Sequence, residues 1–194
     1  TQIITDLDSG KETQIVDKNG HSRTVTVAHP VDGGTLTTND ALLHYYKTPL
    51  SKYSGGNQLD FFTNLSKENK ILRNNAGCWE SDPNGTLMIV FQTKEKDDYY
   101  PRSFEDAFIQ INRDFMIAHQ DTFESLKNRD KFDEKDASGK YMHDTYDLAT
   151  TCVKNKSSFA LDILLNSKAN ETCTFSNWKI PPYIEEGLLW LRKN

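Results

Sequence analysis

The chain has 194 residues and a net charge of −5, with 36% hydrophobic and 26% charged residues. That balance describes a globular protein long enough for an ordinary core, and it excludes one that coats nucleic acid by bulk positive charge. No run approaches the roughly eighteen apolar residues of a membrane span, and no secretory leader is visible.

Residues 2–5 (QIIT) read as a strand, and the DLDSG that overlaps its end reads as passage into a loop. Residues 10–22 are polar, contain Gly10 and Gly20, and read as an excursion. The alternation of RTVTVA over 23–28 predicts a second strand. His29-Pro30 and Gly33-Gly34 mark a loop, and Thr37 to Asp40 offers N-caps for a helix through ALLHYYK. Residues 48–58, with Pro49 and Gly55-Gly56, read as a loop, followed by a short helix over 59–68. Asp82-Pro83-Asn84-Gly85 is a strong turn signal ahead of a strand in TLMIVFQT. The charged stretch 94–102 ends in YYPR.

Ser103 to His119 is the clearest predicted helix. Phe104, Ala107, Phe108, Ile111, Phe115 and Ala118 form one apolar stripe, and Ser103 with Asp106 has the spacing of a capping box. Residues 121–147 are rich in charge and poor in pattern, which predicts a partly helical, exposed and mobile insertion. A helix follows over 157–166. The tail WKIPPYIEEGLLWLRKN predicts a terminal helix opening on a tandem proline, with Ile184, Leu188 and Leu191 buried. Cys78, Cys152 and Cys173 show no CxxC or zinc spacing and read as reduced cytoplasmic thiols.

In a strand, residues i and i+2 share a face, so Asp6 and Asp8 are expected to aim their carboxylates together. Two such groups repel unless a cation lies between them, and hard oxygen ligands suit Mg²⁺ or Mn²⁺. Two solvated acids opening a turn would look the same in sequence. Glu105 and Asp106 fall in the first turn of the best helix, where the dipole alone favours acids; Glu105 lies off the apolar stripe and so can face a site. Lys156, ahead of an apolar helix, is placed to stabilise developing phosphate charge or is an ordinary solvated lysine. The five histidines show no HxH or HExxH spacing, and no P-loop, GxGxxG or GxSxG motif is present.

Four segments occur in one order: the strand ending in DLD, YYPRSFEDAFIQIN, the lysine of KNKSSFALDILL, and WKIPPYIEEGLLWL. Together they resemble the C-terminal Toprim nuclease region of the overcoming-lysogenization-defect (OLD) family of ATP-dependent endonucleases, some of which act in Gabija- or retron-type anti-phage systems. The resemblance covers nearly the whole chain; RSFEDAF and PPYIEEGLLWL are its most specific parts. It implies an α/β Toprim fold, a small Rossmann-like parallel sheet flanked by helices, with an additional helical C-terminal part. It also implies a cytoplasmic, two-metal Mg²⁺ or Mn²⁺ endonuclease acting on DNA. Asp6, Asp8 and Glu105 match the metal-binding acids, Lys156 the lysine that neutralises transition-state charge, and Ser103 and Asp106 line the site. The family's upstream glutamate strand and its N-terminal ATPase lie outside this chain, so 1–194 is expected to be part of a longer protein. ATP would act only through that ATPase, as would homo-oligomer formation. The same resemblance implies a defence-system partner protein or retron RNA or DNA, and no membrane.

Two other classes fit part of the pattern. A haloacid-dehalogenase-like phosphatase also has a strand ending in DxD and a later lysine, but needs a further acidic pair at a strand end after that lysine. A non-catalytic Toprim-like assembly module would keep the fold without the cleavage.

Overall fold

The computed structural model describes residues 1–94, 98–168 and 177–193. In chain order its elements are β1 (Gln2–Ile4), β2 (Ser9–Val16), β3 (Ser22–Ala28), β4 (Leu36–Thr37), α1 (Asp40–Tyr45), α2 (Lys47–Ser51), α3 (Gln58–Thr63), β5 (Ile71–Asn75), β6 (Cys78–Ser81) and β7 (Leu87–Val90). Then come α4 (Phe104–Ile111), α5 (Arg113–His119), α6 (Thr145–Cys152), α7 (Lys156–Leu165) and α8 (Pro182–Lys193). The chain divides into two units, Thr1–Lys94 with Pro182–Asn194, and Glu95–Pro181.

The first unit is α/β. Among the described residues one sheet has the order β1-β7-β5-β6 and a second the order β3-β2-β4. β7 is buried at all four positions, as expected of a continuous apolar run covered on both faces. It pairs in parallel with β1, but β5 runs antiparallel to both β7 and β6. The expected parallel sheet is therefore a mixed sheet. The cause is local: Ala76 (φ 52°) and Gly77 (φ 89°) make a tight reversal between β5 and β6, which forces them antiparallel. Alanine at positive φ is uncommon, so the turn has a weak signature in sequence.

Residues 10–22 are not an excursion. β2 and β3 form a hairpin registered from Gly10 opposite Ala28 to Val16 opposite Ser22. Most of its side chains are exposed, so no apolar alternation betrays β2. Asp17 Oδ1 closes the turn by accepting from the N–H groups of Asn19 (2.8 Å) and His21 (2.9 Å). α2 contains Pro49, which fits because the first turn of a helix needs no N–H there.

α8 packs on β1 and β7. Its buried residues are Tyr183 and Gly187, whereas Leu188 and Leu191 are 47% and 49% exposed and Ile184 is only half-buried. The expected stripe is thus turned by one position. Gly187 decides the phase: a Cβ there would stand 2.8 Å from Cγ2 of Val90, so only glycine lets the helix backbone come this close.

The second unit's described elements are helical. Its core gathers Phe108, Phe115, Met116, Leu148, Phe159 and Ile163 from α4 to α7. The predicted helix over 103–119 is two helices broken at Asn112. The Asn112 side chain bonds a distant backbone instead of capping: Nδ2 donates to the Lys179 carbonyl (2.8 Å) and Oδ1 accepts from the Lys179 N–H (2.6 Å). Asn112 is buried, so Asn112→Ala is expected to cost about 2 kcal/mol, because it strands two backbone groups. A shift in the urea midpoint measures it, and a midpoint unchanged from wild type would refute this account of the break.

The segment 121–147 keeps its charges outside, but Phe123, Leu126 and Phe132 are buried in the core, so it is not simply an exposed insertion. A short 3-10 turn at Arg129–Phe132 is its one helical piece between α5 and Asp144, among the described residues. Cys78 and Cys152 are free thiols, exposed and buried respectively; Cys173 and residues 95–97 lie outside the described residues.

Candidate functional site

The DLD segment lies in the first unit, just past the end of β1. Because β1 stops at Ile4 and Asp8 is left-handed (φ 49°), strand alternation does not govern the two carboxylates, contrary to expectation. Aspartate enters that region more readily than most residues. Tertiary contacts set the loop's shape. Asn39 caps α1 with its Oδ1, while its Nδ2 donates to Thr5 Oγ1 and to the Asp6 carbonyl, both at 2.7 Å. The Thr37 hydroxyl donates to the Leu7 carbonyl (2.5 Å), and the Thr38 N–H donates to the Asp8 carbonyl (3.1 Å). Buried Gln92, just after β7, works at both ends: its Oε1 accepts from the Leu7 N–H (2.5 Å) and its Nε2 donates to Asp6 Oδ1 (2.6 Å). With Leu7 fully buried between them, the two aspartates are carried on an anchored loop rather than a free turn.

Glu105, Lys156 and Ser103 come together in the second unit. Lys156 Nζ stands 3.1 Å from Glu105 Oε2, and the Ser103 hydroxyl donates to the same oxygen at 2.8 Å. Ser103 makes no side-chain cap bond among the described residues, so the expected capping box does not form. Lys156 is the first residue of α7, whose N-cap is Asn155. A cation there opposes the helix dipole, whereas Glu105 in the first turn of α4 accords with it. The lysine side chain is 59% exposed, but that of Glu105 is only 5% exposed, so Lys156 is the cationic partner of a buried carboxylate. The helix dipole disfavours Lys156 at this position, and its pairing with Glu105 offsets that.

Both side chains line a cleft of about 290 Å³ with Arg102, Asp106, Tyr146 and Lys154. Lys154 is held there by its backbone, whose N–H donates to the Ser125 carbonyl (2.9 Å) beside the Leu126–Val153 bridge. Asp106 forms part of the wall, but its carboxylate accepts from the Tyr99 hydroxyl (2.8 and 2.9 Å) and the Arg102 N–H (2.9 Å). Burial pushes the Asp106 carboxyl above its usual 3.8, against the pull of those donors. The folded state then binds the proton more tightly than the unfolded chain. Asp106 therefore removes stability as pH rises from 3.8 through its raised value. Wild type should lose urea stability relative to Asp106→Asn over that window; a difference independent of pH would contradict this.

Gln92 and Tyr146 have no motif to announce them. Asn39 reads as a cap candidate, and Arg102 and Lys154 lie in the RSFEDAF and KNKSSFALDILL segments without being singled out there. After Lys156 the regular elements among the described residues are α7 and α8, so among those residues no later strand end offers the acidic pair a phosphatase of the rival class needs. Among the described residues no three His, Cys, Asp or Glu side chains are gathered as a metal cage. The chemistry of Asp6 and Asp8 still suits Mg²⁺, which takes one or two protein carboxylates and completes its shell with water and phosphate oxygens. No helix among the described residues is long and apolar enough to cross a membrane. No family model, curated protein or solved structure matches this chain.

Proposed function

We propose that this chain is the Toprim-type nuclease part of an OLD-like ATP-dependent endonuclease and hydrolyses nucleic-acid phosphodiester bonds. The observation that carries the reading is the Glu105–Lys156 pair with Ser103. Residues that the resemblance names from two separate motifs meet in one cleft, with the cation at the start of a helix, where the dipole does not favour it.

Asp6 and Asp8 are the metal ligands assigned in the first unit, and Glu105 is the carboxylate assigned in the second. Bound Mg²⁺ or Mn²⁺ would supply charge neutralisation and an activated water. Lys156 would place a positive charge against the anionic phosphate oxygens, with Glu105 fixing the position of its ammonium group. Gln92 and Asn39 would hold the DLD loop rigid, so that the carboxylates need not reorganise during the reaction. A cytoplasmic setting, a DNA substrate and an oligomer built through an upstream ATPase belong to the same proposal.

The test is nicking of supercoiled plasmid by the full-length parent protein with Mg²⁺ or Mn²⁺, and with EDTA as control. Metal-dependent nicking is expected. A folded, ATP-supplied parent that leaves DNA and RNA intact with both metals would overturn the reading in favour of a non-catalytic assembly module.

A further inference from the structure

The cleft of the second unit has two unlike walls. Tyr146, Ala149 and Val153 lie at i, i+3 and i+7, on one face of α6 and its C-terminal edge, and make an apolar wall. Arg102, Lys154 and Lys156 bring three positive charges to the same cleft. The Lys154 ammonium has three donors, of which the Glu124 carbonyl takes one at 3.3 Å. Glu105 is only 4% exposed and lies behind Lys156, whose Nζ is 3.1 Å from its Oε2.

An inorganic anion would need the cations but not the apolar wall. An apolar ligand would need the wall but not the cations. A nucleotide needs both, with a flat π-surface at one end and a phosphate at the other. We infer that this cleft binds one unpaired nucleotide of a single-stranded nucleic acid, with its base against Tyr146 and its phosphate at Lys154 and Lys156. The inference builds on the nuclease reading for its choice of nucleic acid as the ligand, and adds that the strand is unpaired. In a duplex the faces of each base are covered by its neighbours, so a tyrosine ring reaches one only at an end or in a single strand. The cleft volume, about 290 Å³, suits one such unit rather than a helix groove.

The test is fluorescence anisotropy in EDTA, where cleavage is blocked, on the intact protein. The probes are a labelled short oligothymidylate, an oligouridylate of equal length, and a duplex of that length; the first two separate DNA from RNA. Single strands should bind about tenfold more tightly than the duplex, and Tyr146→Ala should remove about tenfold of that affinity while Tyr146→Phe retains it. Lys154→Ala should weaken binding and lower the salt slope by about 0.7, the value for one single-strand phosphate. In an arm that needs no mutation, thymidine monophosphate should displace the probe at concentrations where inorganic phosphate does not. Equal affinity for single strand and duplex, equal displacement by phosphate, or no binding at all would each overturn the inference. If metal-dependent cleavage persists alongside any of these results, the nuclease reading survives without the unpaired-nucleotide cleft. If Tyr146-dependent single-strand binding is found without cleavage, the cleft stands and the nuclease reading falls.

Discussion

Asp8→Asn is expected to lower metal-dependent nicking by at least about a hundredfold, the scale on which preorganised charge at a reacting phosphate acts. Asparagine is the informative replacement because position 8 has φ 49°, a conformation that asparagine tolerates and alanine does not tolerate well. The backbone bonds that hold the loop, from Thr38 to the Asp8 carbonyl and from Gln92 and Thr37 to Leu7, do not involve the Asp8 carboxylate. A urea midpoint measured beside the nicking rate separates loss of the charge from loss of the fold. Asp6→Asn makes the companion experiment, because an amide oxygen can still accept from Gln92 Nε2 where Asp6 Oδ1 does at 2.6 Å. Both variants remove charge and leave shape in place. Near wild-type rates in both, with Mg²⁺ and with Mn²⁺, would sink the assignment of these aspartates as metal ligands.

Glu186→Gln is expected to destabilise the first unit by about 3 kcal/mol, the usual cost of stranding a buried charge. Lys70 is 3% exposed, its Nζ is 3.1 Å from Glu186 Oε2, and it lies 5.0 Å from the centre of the Phe91 ring. Burial lowers the Lys70 pKa below 10.5, and the charge of Glu186 opposes that shift. The sign follows from proton binding. A lysine whose folded pKa is lowered holds fewer protons in the folded state, so its penalty is largest at neutral pH and is relieved as pH rises toward 10.5. The Glu186→Gln defect should accordingly shrink in alkaline buffer. The double variant Lys70→Met, Glu186→Leu should recover most of the loss, since an apolar pair of similar size can replace a buried ion pair. A defect that is flat with pH, or a double variant no better than the single, would show that Lys70 is not the stranded group.

Local chemistry in the sequence determined much of this protein. The apolar run at Leu87–Val90, the turn at Asp82–Gly85, the Asn39 cap and the apolar stripe of α4 are each written within a few residues. The carboxylates of the DLD segment stand out as two acids one residue apart, whereas Glu105 and Lys156 are singled out by the family resemblance and not by spacing. The tertiary structure alone decided what those residues touch. Gln92 carries no signal of its own, yet it shapes the DLD loop from 85 positions away in the chain. Asn112 breaks a helix that its own neighbourhood favours, because the backbone at Lys179 takes its side chain. Gly187 turns α8 by one position because β7 needs a close backbone there. The Ser103 hydroxyl turns to Glu105 Oε2, and the Asp106 carboxylate takes the Arg102 N–H and the Tyr99 hydroxyl, where a capping box was expected. Periodicity and capping are set by free energies between residues a turn apart, which a sequence displays directly. Partners across the core are chosen only when the chain closes on itself, by burial and hydrogen-bond satisfaction that no short window contains.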